Sequence, residues 1–411
     1  MKQIKIRAPR TVDTTIILPA SKSISNRALI INALSQSSSY PDNLSECDDT
    51  RVMVKALMSK EGEEIDIMAA GTAMRFLTAY LSVLPGSDRI ITGSERMKKR
   101  PIKILVEALR KLGAEISYVN EEGFPPLRIK GKVLIGGSID IPGSVSSQYI
   151  SALMMIGATL TDGLEIKLTG DIISRPYINL TMELMKQFGA TAFWKDEATI
   201  KIEKSQYKSM PFYIENDWSA ASYWYQIAAL SQSAKVVLPM LFADSLQGDS
   251  KVADIFDMLG VKTEYGKDYV TIAKKSDVIT EFNYDFVNQP DLAQTFVVTC
   301  SLLNIPFRFT GLQSLKIKET DRIEALKKEM IKLGYVIHDT EDSILWWNGE
   351  RVEPSYQAID TYEDHRMAMA FAPAALFIDK ITINNPEVVS KSYPRYFEDL
   401  KKAGFIVEEV E

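Results

Sequence analysis

Internal periodicity constrains this chain more than any other feature. A segment consisting of a short polar turn and an Ala-rich apolar run returns six times: SNRALIINAL from Ser25, TAMRFLTAYL from Thr72, SSQYISALMM from Ser146, SAASYWYQIA from Ser219, DLAQTFVVTC from Asp291 and DHRMAMAFAP from Asp364. Successive anchors lie 47, 74, 73, 72 and 73 residues apart. A second series runs at the same period, an amphipathic helical pattern that stops at a glycine (Gly113, Gly189, Gly260, Gly334 and Gly404) and passes into a β-like run. Glycine at that point fits the left-handed C-cap of a helix, and the residues after it have strand propensity. Each period therefore holds two helices separated by strands. Such units are too long for ordinary solenoid repeats, and six of them suit a pseudosymmetric α/β protein. The short first interval implies that the first unit has lost a strand pair or a loop. Chance likeness among Ala-rich helices is the plain alternative, and two interleaved series keeping nearly one period argue against it.

The length of 411 residues allows two domains, each with its own core. A net charge of −6 argues against a protein that coats nucleic acid or an anionic membrane. The longest uncharged stretch, 141–161, contains Ser144, Ser146, Ser147 and Gln148 and does not read as a membrane span. Residues 1–10 alternate charged and apolar side chains like a strand and do not read as a targeting signal. Cys47 and Cys300 make no metal-ligand pair, and two cysteines in so large a chain suggest a reducing compartment. A cytoplasmic enzyme without structural zinc is the expectation.

All six anchors are Ser, Thr or Asp, the residue types that cap helix N-termini. Capping alone would account for them. Their neighbours, however, are functional in type: Lys22, Ser23, Arg27, Arg75, Ser147, Gln148, His365 and Arg366. A helix N-terminus offers unpaired N–H groups and partial positive charge to anions. Six basic motifs lie in or beside turns, namely SKSISNR (21–27), AGTAMR (70–75), ERMKKRP (95–101), KIKETDR (316–322), DHRM (364–367) and KSYPRY (391–396). Any one of them reads as a solvated charge face. Together they fit a small ligand set rich in phosphate and carboxylate. GxxxxGK[ST] is missing, and no GxGxxG follows a strand, so a nucleotide cradle is not supported.

The strings LPASKSISNRAL, AGTAMR, RMKKRPI, GSVSSQY, SRPYI, QPDLAQ, KIKETDRI, YEDHRMAM and KSYPRYF occur in the order found in the 5-enolpyruvylshikimate-3-phosphate synthase family of enolpyruvyl transferases, which this chain closely resembles from about residue 12 to residue 400. The resemblance implies a two-domain inside-out α/β barrel of six βαβαββ-type repeats, three per domain, with buried helices and outer sheets. Residues 21–216 would form one domain, and residues 1–20 with 217–411 the other, with the active site in the interdomain cleft.

The reaction implied joins phosphoenolpyruvate to the 5-hydroxyl of shikimate 3-phosphate by addition and elimination, a step of chorismate and aromatic amino acid biosynthesis. It calls for acid–base groups and positive charge, with no metal or other cofactor. By resemblance, Lys22, Gly71, Arg100, Gln148, Arg322, Arg366 and Lys391 would surround phosphoenolpyruvate. Shikimate 3-phosphate would lie against Lys22, Ser23, Arg27, Ser146, Ser147, Gln148, Ser174, Tyr177, Asp291 and Lys318. Asp291 resembles the base for the 5-hydroxyl, Glu319 the group that moves protons at C3, and Lys22 a second proton carrier. Asp291, next to Pro290 at a helix start, is the one most easily read as a simple N-cap. The implied partners are these two small molecules, with no nucleic acid and no membrane, and the implied state is a monomer.

Four positions depart from the family's usual pattern: Ala69 for Asn, Ala20 for Gly, Phe76 for a small residue or Pro, and Ser314 for Asn. They bear on affinity more than on reaction class. A UDP-N-acetylglucosamine enolpyruvyl transferase is the nearest competing reading, but such enzymes carry a reactive Cys on a loop that here reads TGSERMKKRP. A non-catalytic binding descendant would have lost the charged groups that persist here. An RNA-end-processing enzyme of related architecture is disfavoured by the acidic balance.

Overall fold

The computed structural model describes residues 2–37, 39–341 and 343–410. The chain forms two compact units, Ala20–Ile214 and Met1–Pro19 with Glu215–Glu411. In the first unit the helices come in pairs: α1 (Lys22–Leu34) with α2 (Asp48–Leu57), α3 (Gly71–Ser82) with α4 (Lys103–Lys111), and α5 (Ser147–Gly157) with α6 (Arg175–Gln187). The second unit repeats the scheme with α7 (Trp218–Leu230) and α8 (Val252–Met258), α9 (Ala293–Leu302) and α10 (Arg322–Lys332), and α11 (His365–Phe371) and α12 (Tyr396–Lys402). The first members of the pairs contain the six repeated apolar segments, and the second members, α2 excepted, those that end in glycine.

Each series packs as its pattern dictates. The first helices have no polar face and are buried almost throughout; every residue of α9 and α11 is inside. Several of their hydroxyls are satisfied within the helix, donating to a carbonyl four residues back: Thr78 to Met74 at 2.6 Å, Thr299 to Thr295 at 2.6 Å and Ser301 to Val297 at 2.8 Å. The second helices bury one face only, as α4 does with Leu105, Val106, Ala108 and Leu109. The glycines that follow them adopt φ of +99° (Gly113), +85° (Gly189), +82° (Gly260), +87° (Gly334) and +89° (Gly404), the left-handed conformation expected of them.

Four of the sheets share one connection pattern. In the first unit Ile65–Asp66 and Asp88–Thr92 run parallel, and Leu127–Lys130 and Glu115–Tyr118 extend the sheet antiparallel. Gly137–Pro142, Leu164–Thr169, Thr199–Ile202 and Ala192–Trp194 repeat that order. Among the described residues, the first repeat retains only an isolated bridge, Asp42 to Tyr213, so the shortened first interval corresponds to a lost sheet.

The second unit has three sheets. Thr11–Thr15 lies parallel to Ser233–Pro239, followed by Tyr269–Val278 and Leu259–Tyr265. Phe282–Asp285, Phe307–Thr310, Ile344–Trp347 and His338–Thr340 form the next sheet. In the third, Gln3–Arg7 pairs with Ile381–Asn384 on one side and Ile406–Val410 on the other. The two N-terminal strands thus belong to different repeats of one unit. No helix among the described residues is long and apolar enough to cross a membrane.

Candidate active site

In the unit Ala20–Ile214 the expected residues gather at the starts of α1, α3, α5 and α6 and in the turn before α4. Lys22 opens α1, and its Nζ lies 3.3 Å from an Asp49 carboxylate oxygen. One turn on, Arg27 is 2% exposed. Its Nε donates to Thr181 Oγ1 at 2.7 Å, and its terminal nitrogens donate to Ser23 O and Ser151 Oγ, each at 3.0 Å. The Phe76 and Tyr177 rings lie 5.3 and 5.9 Å from the guanidinium carbon. Burial, partly countered by Tyr177, lowers the Arg27 pKa to about 10.

Gly71 and Arg100 meet directly. A Cβ on Gly71 would stand 2.7 Å from Arg100 Nη1, so the guanidinium lies against bare backbone at the first residue of α3. Arg100 Nε is buried and has no acceptor among the described residues. Arg75 links the same two segments, donating to Gly71 O at 3.0 Å and Pro101 O at 3.5 Å. Gln148 donates to Thr72 Oγ1 at 3.0 Å, which ties the start of α5 to that of α3. Ser146 caps α5 by accepting from the Gln148 amide, and Ser147 is buried behind it. Ser174 precedes α6 with φ of +54°, a left-handed conformation that costs a non-glycine residue roughly 1–2 kcal/mol. Such conformations gather at functional sites.

The second unit holds a compact ionic cluster built from the starts of α9, α10 and α11. Asp291, in the turn Pro290–Leu292, takes Arg322 Nη1 at 2.8 Å and Lys318 Nζ at 3.5 Å on one oxygen, and Arg366 Nη2 at 3.0 Å on the other. Arg322 also reaches Glu319 at 2.9 Å and Asp364 at 2.6 Å. Burial pushes the Asp291 carboxyl up, but the charges of Arg366, Lys318 and Arg322 outweigh it and hold the group well below the usual carboxylate range. For Arg322, burial is outweighed by Asp364, Glu319 and Asp291, which hold the guanidinium firmly charged. Lys391 donates to Glu363 O at 2.6 Å, three residues before Arg366.

Two expectations change. Of the six anchors, only Ser146 and Asp364 cap a helix. Ser21 and Asp217 cap α1 and α7, whereas α3 and α9 have no side-chain cap. Asp291 is not an N-cap, because its carboxylate is taken up by three cations.

The structure also adds groups that the motifs did not single out. Asp49 pairs with Lys22, and Asp364 holds Arg322. Asp249, 2% exposed, accepts from Ser219 Oγ, while its Oδ1 has no hydrogen-bond partner among the described residues. Burial and then the Asp291 charge push its pKa up to about 6, against the pull of Arg366 and Ser219. Asp364 lay within a recognised string, but Asp49 and Asp249 carried no local sign. Among the described residues no cluster of His, Cys, Asp and Glu is placed to hold a metal ion.

Comparison with known proteins gives one answer. The sequence model of the family EPSP synthase (3-phosphoshikimate 1-carboxyvinyltransferase) matches residues 6–59 and 56–400. A 3-phosphoshikimate 1-carboxyvinyltransferase of Bacteroides fragilis is 63% identical over 401 residues, covering 97% of each chain. The protein of the same name from a Sulfurovum species is 37% identical over 428 residues, covering 98% of this chain and 99% of its own. A solved EPSP synthase from Acinetobacter baumannii superposes over the whole of both chains with a TM-score of 0.78 at 20% identity, a likeness of fold.

Proposed function

The chain belongs to the EPSP synthase (3-phosphoshikimate 1-carboxyvinyltransferase) family, and from that premise we propose that its two ionic half-sites serve one reaction. The enzyme transfers the enolpyruvyl group of phosphoenolpyruvate to the 5-hydroxyl of shikimate 3-phosphate, releasing phosphate. The hydroxyl oxygen bonds to C2 of the enol while C3 gains a proton. The tetrahedral adduct then loses phosphate and a C3 proton. Each compact unit acts as a domain in this reading, and the enzyme works as a cytoplasmic monomer.

The observation that carries the reading is the ion cluster at Asp291. A general base held by three cations is ionised but weak. Phosphoenolpyruvate brings a phosphate and a carboxylate, both stronger partners for Arg322 and Arg366 than one Asp. As these arginines turn to the donor, Asp291 regains basicity next to the acceptor hydroxyl. Glu319, on the same Arg322, is released in the same exchange and moves the proton at C3. Lys318 and Lys391 add charge around the phosphates.

In the other unit Arg100 and Gly71 offer the donor a guanidinium and an open backbone N–H, with Gln148 behind them. Ser23, Arg27, Ser146, Ser147, Ser174 and Tyr177 provide the hydroxyls, charge and ring face that suit a phosphorylated cyclohexene carboxylate. Lys22, poised on Asp49, both binds and carries a proton. Phosphate release from phosphoenolpyruvate, measured with shikimate 3-phosphate or UDP-N-acetylglucosamine as acceptor, tests the reading. Release with the first acceptor alone is expected, and release only with the second would overturn it.

A further inference from the structure

We propose that Phe76 is a positioning residue for the acceptor, fixing the Arg27 guanidinium before the ligand arrives. This rests on the reading that Arg27 contacts shikimate 3-phosphate. Arg27 is a buried cation whose hydrogen-bond partners among the described residues are all neutral oxygens, on Thr181, Ser151 and the Ser23 backbone. A buried charge lacking a counter-ion is costly, and what faces it instead is aromatic. Phe76, wholly buried on α3, lies 5.3 Å from the guanidinium carbon, and Tyr177, on α6, lies 5.9 Å away. Both distances are within the reach of a cation–π contact, about 6 Å.

The three oxygens occupy only part of the fork. An arginine has five N–H donors, and three of those on Arg27 are engaged. The others remain for a carboxylate or hydroxyl of the ligand, provided that the plane of the group is already set. Thr181 and Ser151, themselves 2.8 Å apart, set one edge of the fork. Phe76 sets the face, and it is the ring that α3 contributes. α3 also begins with Gly71, against which Arg100 rests. The ring therefore makes the pose of an acceptor residue depend on the helix that carries the donor contact. Without it the guanidinium would have room to swing, and the ligand would have to supply the ordering.

The test compares the parent chain with Phe76→Leu, Phe76→Met and Phe76→Tyr. Calorimetric binding of shikimate 3-phosphate is followed by the KM for phosphoenolpyruvate and kcat at saturating acceptor, with melting temperatures alongside. Leu and Met keep the core filled but remove the ring. Each should raise the acceptor Kd about fivefold, the cost of ordering one long side chain on binding, with donor KM and kcat unchanged. Tyr should restore parent affinity. The inference is overturned if the Leu and Met variants bind acceptor like the parent, or if they raise both substrate constants alike. Met guards against loss of fold in the Leu variant. A parent chain that fails to bind shikimate 3-phosphate would overturn the functional reading itself, and that outcome is distinct because it appears before any substitution.

Discussion

Asp291 and Asp249 occupy one unit and are pushed in opposite directions. Asp291→Asn keeps the size but cannot take the hydroxyl proton. Turnover should fall roughly 10²–10⁴-fold, the range of a lost general base, while calorimetry still detects shikimate 3-phosphate. Thr320→Ser, in the same KETDR string, should leave turnover near the parent's. An Asp291→Asn enzyme with parental turnover would exclude the catalytic role. For Asp249, burial raises the folded-state pKa from 3.8 to about 6. Well below pH 3.8 the group is protonated whether folded or not and costs nothing. As pH rises from about 4 to 6 the unfolded chain gives up its proton first, so the folded state is penalised, by roughly 3 kcal/mol for two pK units. Asp249→Asn should therefore gain melting temperature over the parent above pH 6, the gain shrinking to nothing well below pH 3.8. A pH-independent difference would sink this account. Asp291 behaves oppositely: its depressed pKa stabilises the fold above its ordinary value, and that stability is lost as pH falls below it.

In the proposed reading the starts of the first helices carry much of the site, and Gly71 shows what such a position demands. Alanine is a better helix former than glycine by about 1 kcal/mol, and the three atoms nearest its Cβ all belong to the flexible end of Arg100. Gly71→Ala should keep or raise the melting temperature. If Arg100 holds the donor as proposed, its displacement should raise the KM for phosphoenolpyruvate at least roughly tenfold, as expected for a lost hydrogen bond to a charged group. Steady-state kinetics and a thermal melt decide it together; unchanged donor KM would place Arg100 elsewhere in the reaction. These elements were readable in advance where their signal was local. The Ala-rich runs announced helices, the resemblance their burial, and Gly113 to Gly404 announced left-handed C-caps. Cap identity was not readable, because anchor residues such as Ser25 and Ser219 lie inside the first turns while Ser21 and Asp217 cap. Nor were the partners Asp49 for Lys22, or Phe76 for Arg27, since contacts across tens of residues leave no trace in spacing.

Each compact unit carries its own buried helices and sheets, and the chain enters and leaves the inserted one close to the same place. Asp217 N donates to Pro19 O at 2.9 Å, so the two crossings of the backbone are hydrogen-bonded to each other in the outer unit. Residues 20–214 expressed alone should fold and melt cooperatively, as judged by circular dichroism and amide exchange. A fragment without protected amides in α3 and α5 would show that its core needs the other unit. The pairing of Gln3–Arg7, which sits between Ile381–Asn384 and Ile406–Val410, was not legible in the sequence.

That pairing sets an order of events during synthesis. Gln3–Arg7 is made long before the two strands it needs, Ile381–Asn384 and Ile406–Val410. While translation continues, its backbone N–H and C=O groups and the apolar Ile4 and Ile6 have no native partner, the condition under which a strand edge recruits the wrong neighbour. The inserted unit can close as soon as Ile214 emerges. Gln3–Arg7 is therefore built in long after it is made, and the outer unit becomes whole only once Val410 has emerged.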